Sequence, residues 1–126
     1  LLVSVVEQHE SAFSLSKLVI GKQHVWIRQV EADIGHQLSL RVFARDIIIS
    51  LSKPVQSSVL NHLHGKILEI ELTQESRVLL LLDVEGQKLL ARITRKSVLN
   101  LDLIEGQAVY IQFKSVGLGN VPLKQA

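Results

Sequence analysis

Gly106-Gln107-Ala108-Val109-Tyr110-Ile111-Gln112-Phe113-Lys114-Ser115 alternates with a period of two. Val109, Ile111 and Phe113 fall on one side of an extended chain, and Ala108, Tyr110, Gln112 and Lys114 on the other. That is the pattern of a strand with one buried and one wet face. An earlier stretch, Gly35-His36-Gln37-Leu38-Ser39-Leu40-Arg41-Val42-Phe43-Ala44, repeats it at an offset of 71 residues, with Leu38, Leu40 and Val42 on the apolar side. Val25-Trp26-Ile27-Arg28 falls against Leu89-Leu90-Ala91-Arg92 in the same way, at an offset of 64 residues. The two matches occur in the same order, and an insertion at residues 94–101 absorbs the difference in offset. The chain reads as an internal duplication.

Each copy predicts a five-strand, partly open barrel, so the expected class is all-β: tandem OB-like barrels, two similar five-strand halves with one short helix. Turn signals separate the strands. Gly21-Lys22-Gln23 lies between Leu18-Val19-Ile20 and Val25-Trp26-Ile27, and Glu85-Gly86-Gln87 precedes Leu89-Leu90-Ala91. Both are hairpin-like, with a glycine free to take positive φ. Val78-Leu79-Leu80-Leu81-Leu82 is apolar at every position, so its strand predicts cover on both faces, from the barrel interior and from the other half or a second subunit. The helix is placed after Thr94, whose hydroxyl can cap the first N–H groups, with Val98, Leu99 and Leu101 packing down on the barrel. Pro54 removes a ladder donor and ends the preceding strand. The expected organisation is a first half at 1–52, a connector at 53–56, a second half at 57–118 and a tail at 119–126.

A chain of 126 residues is long enough to bury a core without staples. It contains no cysteine, which removes disulfides and thiolate metal sites from consideration. It begins inside the apparent strand Leu2-Val3-Ser4-Val5-Val6, as a piece of a longer polypeptide would. No apolar run reaches the roughly 18 residues of a membrane-spanning helix. The net charge is +2, with charges scattered along the chain, and this argues against nucleic acid as a partner. Aromatic residues, Phe13, Trp26, Phe43, Tyr110 and Phe113, are too few for a platform that stacks bases.

Catalytic signatures are missing as well. No GxxxxGK[ST] phosphate loop and no GxSxG elbow occurs, so no enzyme activity is expected of these residues. His9, His24, His36, His62 and His64 raise the possibility of a metal, and His62-Leu63-His64 places two imidazoles on one side of a strand. No third ligand of matching spacing accompanies them, and surface histidine is the better reading.

One pattern does carry chemistry. Ser57-Ser58-Val59-Leu60-Asn61 opens the second half and Phe113-Lys114-Ser115-Val116 closes it. Hydroxyls, free N–H groups and one ammonium at the two ends of a compact unit suit a small oxyanion, which brings acceptors only. Plainer readings stand beside it: a Ser turn at the start of a strand, and a solvated lysine at the end of one.

These stretches, together with Ala44-Arg45-Asp46-Ile47-Ile48-Ile49, Leu89-Leu90-Ala91-Arg92-Ile93-Thr94 and Leu103-Ile104-Glu105-Gly106-Gln107-Ala108-Val109-Tyr110, resemble the C-terminal oxyanion-binding domain of molybdate ABC importer ATPases. That is the molbindin-like, transport-associated OB domain, and the resemblance covers nearly the whole chain. It implies a cytoplasmic regulatory and dimerisation module, downstream of a nucleotide-binding domain and peripheral to the membrane through the importer's permease. It also implies a homodimer with molybdate or tungstate as ligand at a subunit or half interface, and no other cofactor.

Carried over by position, the resemblance nominates Ser57 and Ser58 as hydroxyl donors and Val59 as an N–H donor. Lys114 and Ser115 become the charge and a further hydroxyl, and Asn61 becomes a brace for the loop. The molbindin motif usually has Arg where this chain has Leu60, so one charge-assisted donor is absent. In the first half Phe43-Ala44 stands where the second has Lys114-Ser115, which predicts no twin site there unless Arg45 reaches in. Two alternatives keep the same fold: a purely structural scaffold joining two ATPase subunits, and a free molbindin or molybdate-responsive sensor domain.

Overall fold

The computed structural model describes residues 1–55, 57, 58, 61–114 and 116–118. Among them run ten strands and one α-helix: β1 (Leu2–Glu10), β2 (Leu15–Ile20), β3 (Gln23–Arg28), β4 (Gln37–Arg41), β5 (Ile48–Ser50), β6 (Asn61–Leu72), β7 (Arg77–Val84), β8 (Gln87–Thr94), α1 (Arg95–Asn100), β9 (Ala108–Phe113) and β10 (Gly117–Leu118). Two curled five-strand sheets result, in the orders β10-β4-β1-β2-β3 and β5-β9-β6-β7-β8. The all-β class, the paired five-strand halves and the single short helix follow the expectation.

The alternation works as read. Leu38 and Leu40 of β4 and Val109, Ile111 and Phe113 of β9 are buried, joining Leu2, Leu18, Leu63, Ile67, Leu80 and Leu82 in one core cluster. In β7, Val78, Leu80 and Leu82 are buried while Leu79 and Leu81 are half-covered. Both glycine turns are two-residue hairpins, with positive φ at Gly21, Glu85 and Gly86. Thr94 caps α1 by accepting from the Ser97 N–H at 3.1 Å. Val98 and Leu101 pack against the core, but Leu99 is 64% exposed, contrary to expectation. The reason is helical spacing: positions 98 and 101 share the face turned to the sheet, and position 99 turns away.

Duplication is visible in backbone detail. β1 carries a register shift between Val6 and Gln8, and β6 one between Ile67 and Glu69. At the first, Val6 donates to His36 O at 2.9 Å and accepts from Gly35 N–H at 2.7 Å. At the second, Ile67 donates to Gln107 O at 2.9 Å and accepts from Gly106 N–H at 2.7 Å. Both glycines sit at positive φ, 91° and 89°, which an L side chain resists.

The copies also trade strands. β5 belongs by sequence to the first half but pairs with β9 of the second; β10 belongs to the second half but pairs with β4 of the first. Each half therefore supplies four strands to its own sheet and lends the fifth. Two glutamine amides also tie the halves together. The Gln23 side chain donates to His64 O at 2.9 Å and accepts from His64 N–H at 2.6 Å. Its counterpart Gln87 donates to Val3 O at 3.0 Å and accepts from Val3 N–H at 2.7 Å.

Candidate functional site

The structure brings Ser58, Asn61 and Lys114 together. They line one cleft of about 470 Å³, with Leu15, Trp26, Ile27 and Arg28 from the first half and Val116, Gly117 and Leu118 from the chain's return to the first sheet. The reason lies in strand pairing. Asn61 opens β6 directly opposite Phe113, the last residue of β9, so the residues just before β6 and just after β9 must emerge side by side. Ser58 and Lys114 are exposed there. Ser57 is exposed beside them and is not among the residues lining the cleft. Val59 and Ser115 lie outside the described residues.

Asn61 is the structural pivot. It is buried, at 4% exposure. Its Oδ1 accepts from Trp26 N–H and its Nδ2 donates to Trp26 O, both at 2.7 Å. A side-chain amide thus imitates a neighbouring strand and closes the outer edge of β3, whose inner edge is paired with β2. The first half is tied to the second at this corner, and the cleft is the groove above the tie.

The cleft's chemistry is one-sided. Among the described residues that line it, the cationic groups are Lys114 and Arg28, the hydroxyl is Ser58, and none is a carboxylate. Leu15, Trp26, Ile27, Val116 and Leu118 form an apolar wall, against which charge is less screened than in open water. Arg28 was missed in the sequence because its approach depends on the packing of the two halves. Arg45, considered for a first-half site, instead lies over the Phe43 ring at 5.8 Å.

The histidines separate into two groups. His24, His62 and His64 line a second, more open cleft of about 400 Å³ with Lys22, Gln23, Lys53 and Tyr110, and the His64 and Tyr110 rings lie 5.2 Å apart. Among the described residues no group of three His, Cys, Asp or Glu side chains could hold a metal. His9 is half-buried and structural. Its Nε2 meets Ala32 O at 2.7 Å, and its Nδ1 meets Ser16 Oγ at 2.8 Å. A carbonyl can only accept, so Nε2 donates to Ala32 O, while Ser16 Oγ, besides meeting Nδ1, accepts from Val30 N–H at 3.1 Å.

An all-β doubled barrel of two five-strand sheets defines a fold class, and comparison with known proteins agrees with it. Residues 57–118 match the family model of the TOBE domain, and this segment belongs to that family.

Over most of its length the chain is similar to molybdenum import ATP-binding proteins. It is 39% identical to ModC of Haemophilus influenzae over 113 residues, covering 90% of this chain and 32% of that protein. With ModC of Aromatoleum aromaticum it shares 35% identity, covering 90% of this chain and 30% of that protein. The chain spans about a third of the length of these curated relatives. Among solved structures, the cytoplasmic molybdate-binding protein ModG, in a form with molybdate bound, superposes with a TM-score of 0.74 over 96% of this chain and 94% of ModG. At 20% identity that likeness establishes the shared fold. Among the described residues no helix is long and apolar enough to cross a membrane.

Proposed function

We propose that the chain is the regulatory and dimerisation module of a molybdate-type importer ATPase, and that it takes a tetrahedral oxyanion, molybdate or tungstate, in the cleft above Asn61. The observation that carries the reading is the convergence of Ser58 and Lys114, from opposite ends of the second half, on one cleft with no carboxylate among its described lining residues. An ion with four acceptor oxygens and no donors is matched by hydroxyl and ammonium. A protonated competitor brings a donor that finds no acceptor carboxylate.

In this reading Lys114 supplies charge and Ser58 a hydroxyl. Asn61 holds the corner rigid, because both ends of its amide are already committed to Trp26. Val59 and Ser115 are assigned to the donor set by position in the sequence, whereas Ser57 stands beside the cleft without lining it. Similarity to ModC chains supports a parent whose nucleotide-binding domain and permease place this module on the cytoplasmic side of the membrane. Hydrolysis of ATP would belong to that parent. Oxyanion binding slows import only if the ion prefers one arrangement of the paired modules to another.

Isothermal titration with molybdate, tungstate and sulfate is the test. Saturable heat with molybdate, weakened in Lys114→Ala, supports the site. Absence of heat for all three ions at millimolar concentration removes it.

That negative outcome would leave the second reading, a scaffold that only holds two ATPase subunits together. Val3 and Val5 on the outer face of β1, 41% and 40% exposed, and Leu90 on β8, 50% exposed, support a second copy as occupant of this surface. Sedimentation at micromolar concentration should show a dimer with or without oxyanion; a strict monomer would count against both readings.

A further inference from the structure

We propose that Arg28 is the second cation of the oxyanion cleft, bracketing a tetrahedral dianion with Lys114 and making the site prefer dianions to monoanions of the same shape. The inference rests on the reading of the cleft as an oxyanion site. It adds a residue from the other half of the chain and a basis for selection by charge.

The geometry is specific. Arg28 ends β3 and lines the cleft together with Ser58, Asn61 and Lys114. Its backbone is held on both sides. Two residues earlier Asn61 grips Trp26 N–H and C=O, and one residue later Gln29 N–H donates to Ser14 O at 2.9 Å. Strand alternation puts Trp26 and Arg28 on the same face, and both line the cleft. Arg28 therefore lines the groove from a fixed backbone position.

Its charge is available. The ion pair found among the described residues joins Lys17 to Glu7, and no described carboxylate lies within salt-bridge reach of Arg28. The 57–61 segment offers hydroxyls and an amide but no charge, because position 60 is leucine. With Lys114 alone a dianion in the cleft would keep an uncompensated negative charge against an apolar wall. With Arg28 the charges balance, and a planar fork of donors can meet two oxygens of the tetrahedron at once. Arg92, the sequence counterpart of Arg28 in the second half, does not line this cleft.

The two cations belong to different halves, so the bound ion would bridge β3 to the ends of β6 and β9. Titrating the full chain with molybdate, a tetrahedral dianion, and perrhenate, a tetrahedral monoanion, tests this directly. Arg28→Gln is expected to weaken molybdate about ten- to hundredfold and perrhenate far less, with an unchanged melting temperature without ligand. Arg28→Lys should restore a large part of the molybdate affinity.

Equal weakening toward both anions with a lowered melting temperature would show a merely structural role and overturn the inference. Molybdate binding untouched in Arg28→Gln but lost in Lys114→Ala would overturn it while leaving the oxyanion site standing. Wild-type protein that binds neither anion would remove the site itself, and Arg28's role with it.

Discussion

Asn61 shows how much one side chain can organise. Its amide satisfies both backbone groups of Trp26, and removing it leaves a donor and an acceptor unpaired at a half-buried edge. Asn61→Ala should therefore destabilise the fold by about 2–4 kcal/mol, read as a lower midpoint in urea unfolding. Asn61→Asp keeps an acceptor for the Trp26 N–H but sets a carboxylate against the Trp26 carbonyl, and should be no better. Asn61→Ala and Asn61→Asp with wild-type stability would show that the tie is dispensable.

Glu85 gives a pH-dependent counterpart at the same scale. Its carboxylate accepts from the Lys22 backbone N–H at 2.6 Å and from the Gln23 amide at 3.2 Å. These bonds, the first above all, hold its pKa below the ordinary 4.5, against a smaller opposing effect of desolvation. A group depressed on folding adds stability that is present above its unfolded value and lost as pH falls through the folded one. The Glu85 contribution should thus be intact at neutral pH and fade below about pH 4.5. Glu85→Gln should flatten that part of the stability profile, measured by thermal melts from pH 3 to 7; an unchanged profile would contradict the assignment.

Among the elements, β6 is central to its sheet, flanked by β7 and β9. Gly65 lies within it, and a Cβ there would come within 2.7 Å of Asp83 O and 2.8 Å of Ile111 Cδ1. Here glycine is needed for room, since a neighbouring backbone carbonyl cannot rotate out of the way as a side-chain tip can. Gly65→Ala should cost about 1–3 kcal/mol from overpacking, and Gly65→Val more, seen as successive drops in melting temperature. Alanine tolerated without loss would mean that β7 can shift outward.

The strands of both sheets were legible because alternation and glycine turns are local signals: 37–43 and 108–114 each declare a buried face. The orientation of Leu99 was not, since a six-residue helix offers too few positions to define its own face. Nor were the glutamine clamps. Gln87 meets a backbone 84 positions away, and nothing near it in sequence foretells the partner. At the cleft, Ser58 and Lys114 could be nominated from the hydroxyls and the ammonium at the two ends of the second half and from the family resemblance, whereas Arg28 enters only once the halves pack.

For the whole molecule, strand exchange is the governing fact. A cut between residues 52 and 57 would take β5 from the sheet it completes and β10 from the other. Either piece alone, 1–52 or 57–118, should therefore give poorly dispersed amide spectra and no cooperative melt. Mixed in equal amounts, the two should recover the native spectrum. A cooperative melt from isolated 57–118 would show that four strands of the second sheet suffice.

Reciprocal lending also bears on how such a chain could arise. A polypeptide holding a single repeat would end in a strand with no home in its own sheet, and could reach this architecture only by meeting a twin that offered the same vacancy. Its folding would then be second order, weakening on dilution. Joining two repeats through one short connector raises the effective concentration of each donor strand for its acceptor. The fold becomes independent of dilution, and the two copies are freed to diverge, one keeping the lysine beside the groove and the other contributing an arginine from across it.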